Sequence, residues 1–305
     1  MRIYRHFHQA DGRPLALAIG NFDGMHLGHQ ALMNALVQAA RSRELQPAVM
    51  TFEPHPREYF TPDKAPTRLT SLREKLELFG ESGVAYAYIC HFNQRFAEVT
   101  AEDFMQRILR RAMNVKAVLV GEDFRFGAGR KGSLSDFDDA GFELLRLQDV
   151  MLGEHRVSST AVRQSLAEGD LMRAAQLLGR AYSISGKIVH GDKVGRMLGF
   201  PTANIHMLHD RPPLFGVYAV KLEGLAKTYL PGVASLGIRP TVKQNGKPTL
   251  EVHLFNFAQD VYGKHVRVHF LHKIRDEMKF ADLDTLKTWI ARDAEAARAY
   301  FKLDR

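Results

Sequence analysis

The chain has 305 residues, of which 45% are hydrophobic and 25% charged, which excludes a disordered or fibrous protein and leaves room for two domains of roughly 100–200 residues each. A single cysteine, Cys90, excludes an internal disulfide and fits a reducing compartment, and the apolar run Leu15–Ile19 is far too short to cross a bilayer. The net charge of +8 (42 basic against 34 acidic residues) is dispersed, with clusters as short as Arg110-Arg111 and Arg130-Lys131, a pattern that suits anionic small substrates better than nucleic acid.

Along the first 180 residues, short apolar runs alternate with helical patterns. Leu15–Ile19, Ala48–Phe52, Val84–Ile89, Val115–Val120 and Glu143–Leu147 read as strands. His29–Arg41, Leu72–Gly80 and Ala101–Met113 read as helices, with Ser71 and Glu74 as a capping box and Thr100 as an N-cap. Strands that are apolar throughout and separated by helices predict a parallel sheet covered on both faces, an α/β Rossmann-like domain. The helical segments Thr160–Glu168 and Leu171–Leu178 close this half. From Tyr182 the texture changes to Gly- and Pro-punctuated strands: Ser183–Val189, Val217–Leu222, Gly232–Leu236, Leu250–Phe257 and Val266–Ile274. A small antiparallel β-barrel with a C-terminal helix over Leu283–Phe301 is expected, with the boundary near Gly179–Tyr182, hence domains 1–180 and 181–305. No signal-peptide pattern follows Arg2 and Arg5, so a cytoplasmic protein is expected.

The segment from Gly20 to His29 joins the first strand to the first helix, at the carboxyl end where α/β sheets bind ligands. Gly20 and Gly24 permit a tight turn, and the following helix N-terminus offers amides and partial positive charge to a phosphate. His26 and His29, three residues apart, face the same way on a first helical turn. Two imidazoles against a polyphosphate fit this pattern. So does a pair of surface histidines at a capped helix, and a zinc site would need ligands that are not nearby.

Here the residues resemble a known family. His26-Leu27-Gly28-His29 is similar to the signature of nucleotidyltransferases related to class I aminoacyl-tRNA synthetases. The string Gly20-Asn21-Phe22-Asp23-Gly24-Met25-His26-Leu27-Gly28-His29 resembles the bacterial bifunctional riboflavin kinase/FMN adenylyltransferases. Three further segments agree with that resemblance. Thr51-Phe52-Glu53-Pro54-His55-Pro56 is similar to the family's flavin-side loop, which implies flavin contacts from Phe52, Pro54 and His55. Gly121–Gly127 resembles a loop around ATP and flavin and implies Asp123, Phe124, Arg125 and Phe126. Ser158-Ser159-Thr160-Ala161-Val162-Arg163 resembles the second superfamily signature, whose hydroxyls and Arg163 reach ATP phosphates. The resemblance further implies ATP contacts from Gly20, Phe22, Asp23, Gly24 and Gly28. The implied chemistry is attack of the FMN phosphate on the α-phosphorus of ATP, with magnesium helping to neutralise the pyrophosphate that leaves.

In the second half, Gly186–Arg196 and Gly199-Phe200-Pro201-Thr202-Ala203-Asn204 look like the riboflavin kinase module. That resemblance implies nucleotide contacts from Gly186, Lys187, Gly191 and Arg196, and Mg2+ ligation by Thr202 and Asn204. Alternation of Leu250, Val252 and Leu254 leaves Glu251 and His253 on the opposite face, where a solvated edge carboxylate is the plain reading. The family match makes Glu251 the base for the ribityl hydroxyl. Gly232–Thr241 and Ile274–Phe280 also resemble kinase segments. They imply that Arg275 contacts a nucleotide or flavin phosphate, against the alternative of a surface ion pair with Asp276 or Glu277. Small-molecule partners (ATP, riboflavin and FMN) are expected, with neither nucleic acid nor membrane. Two rivals are a single-activity enzyme whose barrel only regulates, and a nucleic-acid-binding protein.

Overall fold

The computed structural model describes residues 1–7, 12–191, 194–238 and 246–303. Asp192 and Lys193 of the first kinase string and Arg239, Pro240 and Thr241 of the third therefore lie outside the described residues. The chain forms two compact units, one of Met1–Pro66 with Leu72–Val157, the other of Thr67–Ser71 with Ser158–Arg305.

In the first unit, β1 (Arg2–Tyr4), β2 (Leu15–Ile19), β3 (Gln46–Glu53), β4 (Tyr86–His91), β5 (Val115–Leu119) and β6 (Glu143–Leu145) make a parallel sheet. Its order is β1-β4-β3-β2-β5-β6. The helices are α1 (Leu27–Ser42), α2 (Pro56–Phe60), α3 (Leu72–Glu81), α4 (Gln94–Ala97), α5 (Ala101–Asp103, continuing as a π-helix over Phe104–Ala112) and α6 (Leu134–Asp139). A small hairpin, β7 (Met151–Leu152) with β8 (His155–Arg156), ends the unit. The apolar runs are explained by β2, every residue of which is buried. Leu15, Leu17 and Ile19 enter one core with Leu109, Met113 and Phe137, while Ala16 and Ala18 enter another with Met33, Leu36 and Phe79. Successive side chains of a strand point to opposite faces, so a sheet covered twice demands apolar residues at every position. Cys90 is buried in β4, and burial pushes its thiol up to about 12, which leaves it unreactive.

In the second unit, α7 (Ser159–Glu168) and α8 (Leu171–Leu178) precede β9 (Ser183–Val189), α9 (Val194–Met197), β10 (Ala203–His206), β11 (Gly216–Glu223), β12 (Leu230–Ile238), β13 (Pro248–Leu254), β14 (His265–Arg275) and α10 (Leu283–Phe301). The six strands close into an antiparallel barrel in the order β10-β13-β12-β11-β14-β9. Closure leaves no open edge. By packing, α7 and α8 go with the barrel, α8 lying against β14. Helix α10 covers the outside of β11 and β12, burying Ala294 and Ala297 against Val217, Ala219 and Val233. Among the described residues, no helix is long and apolar enough to cross a membrane.

Candidate active sites

The order of the parallel sheet reverses at β2, which lies between β3 and β5, and such switch points open a crevice at the carboxyl ends of the strands. The loops after β2 and β5 both line one cavity of about 690 Å³ there, through Gly20, Asn21, Asp123, Phe124, Arg125 and Phe126. The loop after β2 takes an uncommon path. Gly24 has φ 82°, natural for glycine, but Phe22 and Met25 also hold positive values of 49° and 43°. Both side chains are sunk in the core beneath α1, at 2% and 1% exposure, which holds the backbone in place. A side chain at Gly20 would meet the Phe22 ring at 3.0 Å.

Helix α1 starts at Leu27, two residues before the start expected from periodicity, because His26 is its N-cap and accepts from His29 N at 3.3 Å through Nδ1. Histidine lies outside the usual capping set of Ser, Thr, Asp and Asn, so the sequence hides this start. Accepting at Nδ1 leaves the ring proton on Nε2, the nitrogen that can donate to an anion. The His26 and His29 rings stack with centroids 3.7 Å apart, and Phe22 meets His29 edge-on at 5.3 Å. Gly28 lies against the His26 ring, and Asp23 is buried in the same loop. The loop thus holds Phe22, Asp23, Gly24, His26, Gly28 and His29 together at a helix N-terminus.

The cavity also brings together Phe52, near the end of β3, and His55, just after it. His55 caps α2 through Nδ1, and Pro54 stands beside it without lining the space. Sequence reasoning missed Arg57, Phe60, Phe92, Phe96, Phe104 and Arg130, which complete the wall. Their rings interlock, Phe92 lying 6.0 Å from Phe52 and 5.6 Å from Phe96. Nothing local links aromatics so far apart in sequence. Asp123, highly exposed, pairs with Arg156 of β8 at 2.9 Å, while Asp149 holds the same guanidinium at 3.0 Å. The Asp123 bond, helped by the charges of Asp149, Asp123 and Glu122 and opposed by burial, keeps Arg156 above its ordinary value.

In the second unit, Ser158 caps α7 by accepting from Ala161 N at 3.2 Å, with Ser159 and Thr160 in the first turn. Arg163 is half-buried and its Nε donates to Thr67 O at 2.6 Å, drawing the 67–71 segment to α7.

The barrel assembles the kinase candidates. Asn204 in β10 lies directly across from Glu251 in β13, and Ser235 in β12 flanks Glu251 on the other side. Thr202, just before β10, donates through Oγ1 to Glu251 Oε2 at 3.1 Å. Gly191 packs against the Asn204 carboxamide so closely that a Cβ would displace it. Two cavities share Thr202. One of about 230 Å³ is lined by Arg196, Pro201 and Tyr262; the other, about 510 Å³, by Phe200, Val217, Glu251, His253, Arg275 and Phe280. Lys187 is exposed on β9, whereas Gly186 is buried where β10 crosses and has a packing reason to lack a side chain.

Arg275 has a partner that the sequence did not reveal. Its Nε and Nη2 reach the two oxygens of Asp293 in α10 at 2.9 and 2.6 Å, while Nη1 donates to Asp276 O. Asp293 is 5% exposed, and the guanidinium also lies over Trp289 at 5.5 Å and Phe280 at 5.6 Å. Neither Asp276 nor Glu277 supplies the ion pair: Asp276 pairs with Lys273, and Glu277, raised above the usual carboxylate range by burial, accepts from Ile238 N at 3.2 Å. Removing one charge from such a pair typically costs about 3–5 kcal/mol. Asp293→Asn is therefore expected to lower the urea midpoint of the second unit markedly, read by Trp289, the only tryptophan. An unchanged midpoint would show that the pair contributes nothing to stability.

Comparison with known proteins gives these sites a family. The FAD synthetase model matches residues 8–161 and the riboflavin kinase model residues 178–301. Bifunctional riboflavin kinase/FMN adenylyltransferase from Escherichia coli (strain K12) is 47% identical, covering 100% of this chain and 99% of its own length. The Haemophilus influenzae protein of the same name is 43% identical, with 99% of both chains covered. A solved structure described as a macrolide-efflux protein from Streptococcus pneumoniae matches at TM-score 0.80 and 31% identity, covering 97% of this chain and 98% of that one. With both domain models matched in one chain and full-length relatives on either side of 45% identity, the chain belongs to the bifunctional riboflavin kinase/FMN adenylyltransferase family and has a domain for each activity.

Proposed function

We propose that the activities divide along the chain, residues 1–180 adenylylating FMN and residues 181–305 phosphorylating riboflavin. The observation that carries the reading is the Thr202–Glu251 hydrogen bond of 3.1 Å, with Asn204 across from Glu251, where two barrel cavities meet. Phosphoryl transfer to an alcohol needs a base on the alcohol side and phosphate-binding groups on the other. Riboflavin is assigned to the larger, partly apolar cavity and the phosphates of ATP to the smaller. Glu251 takes the proton of the terminal ribityl hydroxyl as its oxygen attacks the γ-phosphorus and ADP leaves.

Both activities use ATP with a divalent metal, which we assign as Mg2+. Thr202 and Asn204 would hold it, since both offer the hard, neutral oxygens that magnesium takes, and Gly191 leaves room for the Asn204 carboxamide. Bound there, the ion supplies positive charge to the phosphates. Arg196, which lines the smaller cavity, is assigned to the nucleotide together with Gly186 and Lys187 of β9. Arg275, held by Asp293, shapes the flavin side.

For adenylylation, the attacking FMN phosphate is already largely a dianion at neutral pH, so no base is required. His26 and His29, with the amides of α1, donate to the ATP phosphates as charge builds on them. Phe22, Asp23 and Gly28 hold that loop, and Ser158, Ser159, Thr160 and Arg163 supply further donors to phosphate. Phe52, His55, Asp123, Phe124, Arg125 and Phe126 take the flavin in the aromatic cavity, with Pro54 beside His55. A cytoplasmic location fits the demand for ATP and the reduced Cys90.

The division is tested by reverse-phase chromatography of flavins made by two fragments. Residues 1–180 should convert FMN to FAD and leave riboflavin untouched, and residues 181–305 should do the converse. Phosphorylation of riboflavin by the first fragment would overturn the assignment.

A further inference from the structure

Lys75, near the start of α3, is 2% exposed, and neither proposed reaction uses it. Its Nζ donates to Thr51 Oγ1 at 3.3 Å. Thr51, fully buried at the carboxyl end of β3, in turn donates to the backbone carbonyl of Asn21 at 3.2 Å. Asn21 is the second residue of the loop that carries His26 and His29. The preceding residue is tied to the same strand, Gly20 N donating to Met50 O at 3.1 Å. The loop is thus pinned to β3 at two adjacent points, one backbone to backbone and the other through the Thr51 hydroxyl that Lys75 contacts.

Filling space gives no reason for a lysine here. Burying an ammonium is costly, and an apolar side chain of similar length would fill the same space without that cost. The loop, by contrast, has reason to need fixing, since Phe22 and Met25 both hold positive φ, a conformation that persists only where the surroundings enforce it. We infer that Lys75 is a positioning residue for adenylyl transfer, acting through the Thr51 hydroxyl to set the loop that presents His26 and His29 to the phosphates. The inference rests on the assignment of FMN adenylylation to that loop. The ammonium orients the Thr51 hydroxyl by occupying its acceptor side, so the hydroxyl proton points to Asn21 O. Without it the hydroxyl can turn, and the loop loses its side-chain anchor.

The test uses the full-length chain, with FAD formation from FMN, riboflavin phosphorylation, and FMN binding by quenching of flavin fluorescence all measured. Lys75→Met is expected to lower kcat for FAD formation by about 10–100-fold, the usual cost of a small misplacement of reacting groups. KM for FMN and the kinase rate should stay near wild type. Thr51→Val, which keeps the shape and removes the hydroxyl, should fall as far, and Thr51→Ser should recover most of that loss. The double variant Lys75→Met/Thr51→Val should be no slower than either single one, because both cut the same relay. Wild-type FAD formation in Lys75→Met, equal rates for Thr51→Val and Thr51→Ser, or additive losses would each overturn the proposal. If Lys75→Met no longer binds FMN, the Val and Ser variants at position 51 decide. His29→Ala, run in parallel, separates the two levels. Loss in His29→Ala with none in Lys75→Met refutes the relay alone, whereas loss in neither refutes the site assignment beneath it.

Discussion

Glu251→Gln in the full-length chain is expected to lower riboflavin phosphorylation by about 10²–10⁴-fold, the usual contribution of a general base. The amide keeps the size of the side chain and can still accept from Thr202 Oγ1, the contact at 3.1 Å in the native site. It cannot take a proton from the ribityl hydroxyl, which, unlike a phosphate, is not ionised at neutral pH. KM for ATP and for riboflavin should change little, and FMN supplied directly should still become FAD. Asn204→Ala is the contrasting case. It should weaken Mg–ATP binding, and raising magnesium should recover part of the loss. Equal rescue of Glu251→Gln by magnesium would make Glu251 a ligand or electrostatic anchor, and the base would have to be sought elsewhere.

His29→Ala should reduce FAD formation by about 10²–10³-fold, as expected for one preorganised donor to a developing phosphate charge. The ring stacks on His26 at 3.7 Å, but the cap of α1 uses the His29 backbone amide, which alanine retains. The helix start should therefore survive and the loss should fall on chemistry. Because Glu251 lies in the other domain, riboflavin phosphorylation should be unchanged and FMN should accumulate when both substrates are supplied. Wild-type FAD synthesis would remove His29 from the site.

The sequence by itself determined the parallel sheet, the barrel and the chemistry-bearing strings. Those features are written at short range. The fully apolar run Leu15–Ile19 matches β2 residue for residue, and the alternation of Leu250, Val252 and Leu254 turns Glu251 to the other face of β13, as expected. Local pattern also found α8, β9 and α10 at their observed bounds. It failed where a local rule was broken or too short to register. His26 is an unusual N-cap, β1 is a three-residue edge strand, and α5 runs on as a π-helix. Only the tertiary structure decided which distant residues meet. Thr202 reaches Glu251 across 49 positions because β10 and β13 pair in the closed barrel. Lys75 reaches Thr51 across 24, and Arg275 finds Asp293 in α10 rather than the acidic neighbours beside it in sequence. Periodicity records which face of an element is buried, through the free energy of removing apolar surface from water. It carries no record of which other element covers that face, and the cavities, the buried ion pair and the aromatic wall are all formed between elements.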